Sequence, residues 1–273
     1  MKNIITKQFQ ILTDINLAWD FMTDVYEPHF ANGAAAPFFE YALTSTWMNK
    51  EYLYLDRFWI ENNRVVGFVF TESTVTSIFF NLRPGYEELA DEMVCYAESH
   101  FPDFGDGKEM IIFSGQKALI QAVEKRGYKL SYENVDLLFD FRKSKLNYDL
   151  PEGFHFVDPL SIDTLKLAKC TWNGFNAEEL GPFENWDNPN SENSMNPYKS
   201  YQGIVSSAIA PPPHSTYKYN VIIANRDEDY VCFSGMWWVS ENKLAYMEPL
   251  CTVPKYRKKG LAAAALTQPY RRL

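Results

Sequence analysis

With 273 residues, 46% apolar and 22% charged, the chain is sized for two domains of about 130 residues each and has the composition of neither a disordered nor a coiled-coil protein. No apolar run approaches the roughly 18 residues that span a bilayer, and the N-terminal MKNIITKQFQILTD is too polar for a signal peptide, so a cytoplasmic protein without a membrane partner is expected. The net charge of −9 is uneven: residues 251–273 hold six basic residues and no acidic one, which leaves 20 basic against 35 acidic elsewhere. A basic segment on an acidic chain argues for a local anionic ligand and against nucleic acid, which calls for a broader basic face.

In chain order, apolar spacing predicts helices over 17–25 and 34–48, then strands over 52–60 and 65–72 joined by Glu61-Asn62-Asn63. A third strand over 76–82 is rich in β-branched and aromatic residues. Pro84 stands where a helix can begin, and Leu89, Met93, Val94 and Ala97 recur at helical spacing. A strand over 109–114, a helix over 116–125 stopped by Gly127, and an alternating strand over 128–141 complete the first half. The polar stretch RKSKLNYDLPEG from Arg142 reads as a linker, giving domains over 1–142 and 154–273 with 143–153 between them.

The second half repeats the pattern: a strand over 154–157, a helix over 162–175, a polar Asn- and Pro-rich stretch over 178–197, and a helix over 198–209 before three prolines. Strands over 217–224, 230–239 and 244–252 follow, and a helix from Gly260 closes the chain. The order helix, helix, three strands, helix thus occurs twice. It predicts an α+β (mixed α/β) protein of two domains, each a mostly antiparallel sheet flanked by helices.

Cys95, Cys170, Cys232 and Cys251 lie in apolar stretches without CxxC spacing, and His29, His100, His155 and His214 form no HxxxH or HxH pair. Buried free thiols and no metal are expected. Trp237 and Trp238 point to opposite faces of one strand, so at most one of them lines a cleft.

The most informative stretch is Val253-Pro254-Lys255-Tyr256-Arg257-Lys258-Lys259-Gly260-Leu261-Ala262. It leaves a strand, spaces Arg-x-x-Gly-x-Ala, and opens a helix of small residues. A helix N-terminus offers unpaired N–H groups and the positive end of the dipole to a pyrophosphate. Gly260 permits close approach, the alanines keep the first turn slim, and Arg257, Lys258 and Lys259 add charge. With the preceding Met247 to Thr252, the run resembles motif A of the GNAT superfamily of N-acetyltransferases, whose signature is Gln or Arg, two residues, Gly, one residue, Gly or Ala.

The resemblance implies two GNAT-like domains and acetyl-CoA as co-substrate, with an acetyl group passed to a small-molecule or peptide amine. A homodimer is compatible with it. Leu250, Cys251, Thr252 and Val253 are the implied strand contacts, and Arg257, Lys258, Lys259, Gly260, Leu261, Ala262 and Ala263 the implied pyrophosphate loop. Glu248, nine residues before Arg257, is the candidate base. A non-catalytic acyl-CoA-binding or regulatory module is the competing reading. It draws on two departures from the family pattern. The family continues past the motif A helix with further strands and a helix, whereas this sequence stops at Leu273, which suggests a fragment or a cleft wall supplied from elsewhere. In the first half, Ala118 to Leu130 resembles the closing helix and turn of such a domain, yet Asn81 to Glu88 has no Arg-x-x-Gly-x-Gly and brings two acids to the helix start. The first domain is therefore expected to lack CoA binding.

Overall fold

The computed structural model of the chain describes residues 3–72, 75–105, 107–190, 196–206 and 212–272. It divides into two compact units, one of Met1–Leu43 with Met48–Leu138, the other of Thr44–Trp47 with Phe139–Leu273. No helix among the described residues is long and apolar enough to cross a membrane.

The first unit is a five-stranded sheet in the order β1-β2-β3-β4-β5, formed by Ile4–Gln8, Arg57–Glu61, Arg64–Thr71, Ser77–Leu82 and Glu109–Ile111. Successive strands are antiparallel except β5, which runs parallel to β4. Helices α1 (Ile11–Val25) and α2 (Ala36–Thr44) bury Phe21, Met22, Phe39 and Ala42 against one face. Helices α3 (Ala90–His100) and α4 (Lys117–Lys125) bury Met93, Val94, Ala97 and Leu119 against the other. Strand β3 is covered from both sides, which is why Val65 to Thr71 form an unbroken buried run instead of an alternating one.

The second unit is a four-stranded antiparallel sheet in the order β6-β7-β8-β9, formed by Phe154–Phe156, Val221–Asn225, Tyr230–Val239 and Leu244–Thr252. Helix α5 (Thr164–Gly174) begins at Asp163, whose side chain caps the N–H groups of Leu165 and Lys166. It packs Leu167 and Cys170 on one face of the sheet with Ile222, Phe233 and Cys251. After α6 (Pro197–Ile204) and the three strands, α7 (Leu261–Tyr270) packs Leu261, Ala264 and Ala265 on the opposite face with Val221, Ile223 and Cys232.

The two strands predicted over 230–239 and 244–252 form with those bounds. Others shift. The start of the strand predicted over 52–60 lies instead in a 3-10 turn, Lys50–Leu55, and α2 ends at Thr44. The predicted helix 198–209 runs Pro197–Ile204, and positions 207–209 lie outside the described residues. Strand β1 was not expected, because Ile4 to Gln8 is short and does not alternate apolar with polar residues. The predicted strand over 128–141 has no ladder: 129–139 are exposed throughout, with Leu137 at 90%. Its propensity is strand-like, but no strand lies beside it among the described residues. Residues 143–153 pack within the second unit: Tyr148 N–H donates to Thr267 Oγ1 (3.3 Å), and Leu150 joins the cluster under α7.

Candidate functional site

β9 is an edge strand, and its irregularity sets the site. Ser234 pairs with Leu250 but Met236 with Met247, so Glu248 and Pro249 together oppose Gly235 in a β-bulge. A Cβ at position 235 would lie 2.2 Å from Glu248 O, so only glycine fits. Glu248 is half-buried at this bulge and accepts a hydrogen bond from Tyr246 Oη (3.3 Å) on Oε2.

Beyond the bulge, regular pairing resumes. Val253 N–H donates to Val231 O (3.0 Å), so by antiparallel alternation Val253 and Cys251 turn their backbone groups to β8. Leu250 and Thr252 turn theirs outward. Of the four implied strand contacts, the fold thus offers two as free-edge donors. The Cys251 side chain is buried under α5, and a Cβ at Gly174 would meet its Sγ at 2.7 Å. Burial pushes the Cys232 thiol up to about 11, and a hydrogen bond with Cys251 together with burial raises Cys170 well above the ordinary thiol range. Cys170, Cys232 and Cys251 are core thiols, as the sequence suggests, whereas Cys95, expected to be buried as well, is exposed because it falls on the solvent side of α3.

The chain leaves β9 through a 3-10 turn at Pro254–Tyr256. Tyr256 anchors it: Asn225 Nδ2 donates to its hydroxyl (2.9 Å), Phe154 meets its ring edge-on, and Lys255 and Lys259 lie over the ring at 5.5 and 5.2 Å. Lys258 (φ +60°) and Gly260 (φ +86°) adopt left-handed backbone, which turns the chain abruptly into α7. Gly260 is the N-cap and no side chain caps the helix; the bond from Ala264 N–H to Gly260 O (3.0 Å) is its first full turn. The amides of Leu261, Ala262 and Ala263 therefore face outward without an intrahelical partner, beside exposed Lys258 and Lys259 and with no acidic residue in the first turn. Strand edge, glycine turn and helix N-terminus converge into a cradle suited to a phosphorylated ligand with a polar arm.

No protein-family model matches the sequence, and no curated protein matches it. Among solved structures, a GCN5-related N-acetyltransferase from Sphaerobacter thermophilus is similar at TM-score 0.51 and 12% identity, over 98% of this chain and 83% of that one. The chain has the GNAT fold. A tandem GNAT protein from the clavulanic acid biosynthesis pathway is similar at TM-score 0.49 and 11% identity, over 99% and 85% of the two chains.

Within this GNAT fold, the first unit builds the corresponding junction differently. β4 pairs with β5 only over Ser77–Phe79, and beyond that its outer edge is filled from within. Leu82 N–H donates to Asn32 O (2.9 Å), and Gln116 Nε2 donates to Phe80 O (2.7 Å). The Asn81 amide grips Ala34 twice, accepting from its N–H (3.0 Å) and donating to its O (2.8 Å). Glu87 and Glu88 occupy the 3-10 turn before α3, and Asp91 and Glu92 its first turn. Among the described residues, no cluster of His, Cys, Asp and Glu suits a metal ion.

The bulge-forming Gly235 and the close-packed Gly174 did not stand out in the sequence. A glycine inside a β-branched and aromatic strand, facing a Glu-Pro step in the next, is the signal that marks the first. Nothing local marks the second.

Proposed function

We propose that the second unit binds an acyl-CoA across the β9 edge and the Gly260 turn and passes the acyl group to an amine, the new C–N bond replacing the thioester C–S bond and CoA leaving as its thiol. The observation that carries this reading is the conjunction of an edge strand, freed beyond its bulge, with an uncapped helix N-terminus that holds no acid and is ringed by Lys255, Lys258 and Lys259. The substrate supplies an acyl group activated as a thioester. The protein supplies the rest. Leu261, Ala262 and Ala263 N–H groups, with Lys258 and Lys259, hold the pyrophosphate. The outward N–H groups of Leu250 and Thr252 hold the polar arm and stabilise charge developing on the acyl oxygen, each donor contributing roughly 3 kcal/mol in comparable acyl-transfer sites.

An amine with a solution pKa near 10 is only about 0.1% neutral at pH 7, so attack needs a proton acceptor. Glu248, held at the bulge by Tyr246, serves as that base directly or through a water. Titration calorimetry of the chain with acetyl-CoA, followed by turnover against a broad amine panel, tests the reading. Tight binding with turnover supports it. Binding with no turnover of any amine transfers the case to a non-catalytic acyl-CoA module, and no binding removes both.

A further inference from the structure

Arg257 stands first in the glycine-turn motif, where its charge reads naturally as a phosphate ligand. Its guanidinium is committed elsewhere. Nε donates to Thr252 O (2.9 Å), while Nη2 donates both to Gly174 O (2.7 Å) and to Asn176 Oδ1 (2.9 Å). Three of its five N–H donors thus end on protein oxygens drawn from two elements: the outward carbonyl at the end of β9, and the C-terminal turn of α5. The Gly174 carbonyl is among the last of that helix and has no intrahelical partner, so a cation there also meets the negative end of the dipole.

We infer that Arg257 is a positioning residue that latches the C-terminus of α5 to the β9 edge and fixes the height of the cradle floor, instead of carrying the phosphate charge. The surroundings agree. Gly174 sits against Cys251 Sγ and Thr252 N, where an added Cβ would lie at 2.7 and 3.5 Å, so α5 can come this close only through glycine. Asn176 is left-handed (φ +60°), which aims its amide back at the guanidinium and starts the 3-10 turn Ala177–Leu180. Lysine at 257 would keep the charge but, with one nitrogen, cannot reach the three oxygens in the same fixed fork. The Lys258 and Lys259 side chains make no such protein contacts with oxygen among the described residues, and they are left to meet the anion.

The functional part of this inference rests on the acyl-CoA reading; the latch itself does not. In the full chain, Arg257→Lys, Arg257→Gln and Lys259→Gln are compared by CoA titration over a range of salt and by amide exchange of ligand-free protein at Phe175, Asn176, Glu179 and Gly181. We expect both Arg257 variants to bind CoA about tenfold more weakly, with the salt dependence of the wild type and with faster exchange at those amides. Lys259→Gln should flatten the salt dependence and leave exchange unchanged. Asn176→Gly, which keeps the left-handed turn but removes one acceptor, should speed exchange to a smaller extent, and it serves if an Arg257 variant does not fold. Wild-type affinity in Arg257→Lys, together with weaker and less salt-dependent binding in Arg257→Gln, would make Arg257 a phosphate ligand and overturn the inference. Unchanged exchange in all the Arg257 and Asn176 variants overturns it as well. If the wild type binds no CoA, the acyl-CoA reading fails and the exchange data still decide the latch.

Discussion

The two units share an order of elements, strand, helix, helix, three strands, helix, and part company where the third of those strands meets its helix. In the first unit, the edge of β4 is satisfied by Asn32 and Gln116, and four carboxylates, Glu87, Glu88, Asp91 and Glu92, lie at the start of the following helix. Each acid near a helix N-terminus stabilises it by typically 0.3–1 kcal/mol. In the second unit the same place has no acid and leaves outward donors at Leu250 and Thr252, although neither helix has a side-chain cap. One unit fills its own strand edge and puts acids at the helix start; the other leaves the edge open and adds positive charge. The contrast can be broken at several points.

The largest effect is expected at Glu248. Glu248→Gln keeps the size and the contact with Tyr246 but removes the basic oxygen, while the cradle residues are untouched. Turnover should fall about 10²- to 10⁴-fold with acetyl-CoA affinity unchanged, and the acidic limb of the pH profile should vanish. Between β3 and β4 of the first unit the described residues form no equivalent bulge: they pair in regular register from Gly67 with Leu82 to Thr71 with Ile78. A Gln variant that turns over like the wild type at every pH would make Glu248 structural.

The binding contrast comes next. Gly260→Val places a β-branched residue at φ +86°, and Lys258→Glu with Lys259→Glu reverses the local charge. Either change should weaken acetyl-CoA by about 100-fold or more by calorimetry. In the wild type, the titration should end at one equivalent per chain, because Asn32 and Gln116 fill the first unit's strand edge. A second equivalent would show that this filling opens.

A paired glycine test then asks whether both junctions are equally rigid. A Cβ at Gly235 would lie 2.2 Å from Glu248 O, and one at Gly33 (φ +120°) 2.3 Å from Asn81 Oδ1 and 2.6 Å from Phe80 O. Gly33→Ala should destabilise its unit by about 2–3 kcal/mol in denaturant unfolding without touching CoA affinity. Gly235→Ala should cost a similar amount and should also lower turnover, since it displaces the bulge that carries Glu248. Equal effects of the two on turnover would argue against a site confined to the second unit.

Much of this was legible in the sequence, for identifiable reasons. Strands β8 and β9 are long and bounded by Asn- and Ser-containing turns, and the Gly260 turn combines charge, glycine and small residues in ten consecutive positions. Local chemistry determines such features. The strand over 128–141 was misread because a strand is a property of two segments, and Leu130, Val135 and Leu137 have apolar character without a ladder partner. The role of Arg257 was hidden for a similar reason: two of the three oxygens that engage it lie at Gly174 and Asn176, some 80 positions earlier. Outward against inward backbone at Leu250 to Val253 depends on the register with β8, which residue types do not encode.

The smallest expected effect lies in how the units respond to pH. The buried carboxyl side chains among the described residues, Asp14, Glu40 and Asp56, all belong to the first unit. Asp56 is the extreme case: it is fully buried, Oδ1 accepts only the Thr71 N–H (3.2 Å), and Oδ2 has no partner. Burial holds its pKa well above the ordinary carboxylate range, against the opposing pull of that one hydrogen bond. The folded state therefore keeps the proton after the unfolded state has released it. Stability from this group is fully present below the unfolded pKa near 4, and it is lost as pH rises toward the raised folded value. Asp56→Asn retains the acceptor for Thr71 and has no proton to lose. It should raise stability at pH 8 by on the order of 1 kcal/mol, and the difference from the wild type should shrink as pH falls toward 4. Thermal melts across that range check the trend, with acetyl-CoA added to lift the second unit's transition and so separate the two. If wild type and variant run parallel at every pH, Asp56 finds a partner in solution, and the first unit is not the alkaline-sensitive half.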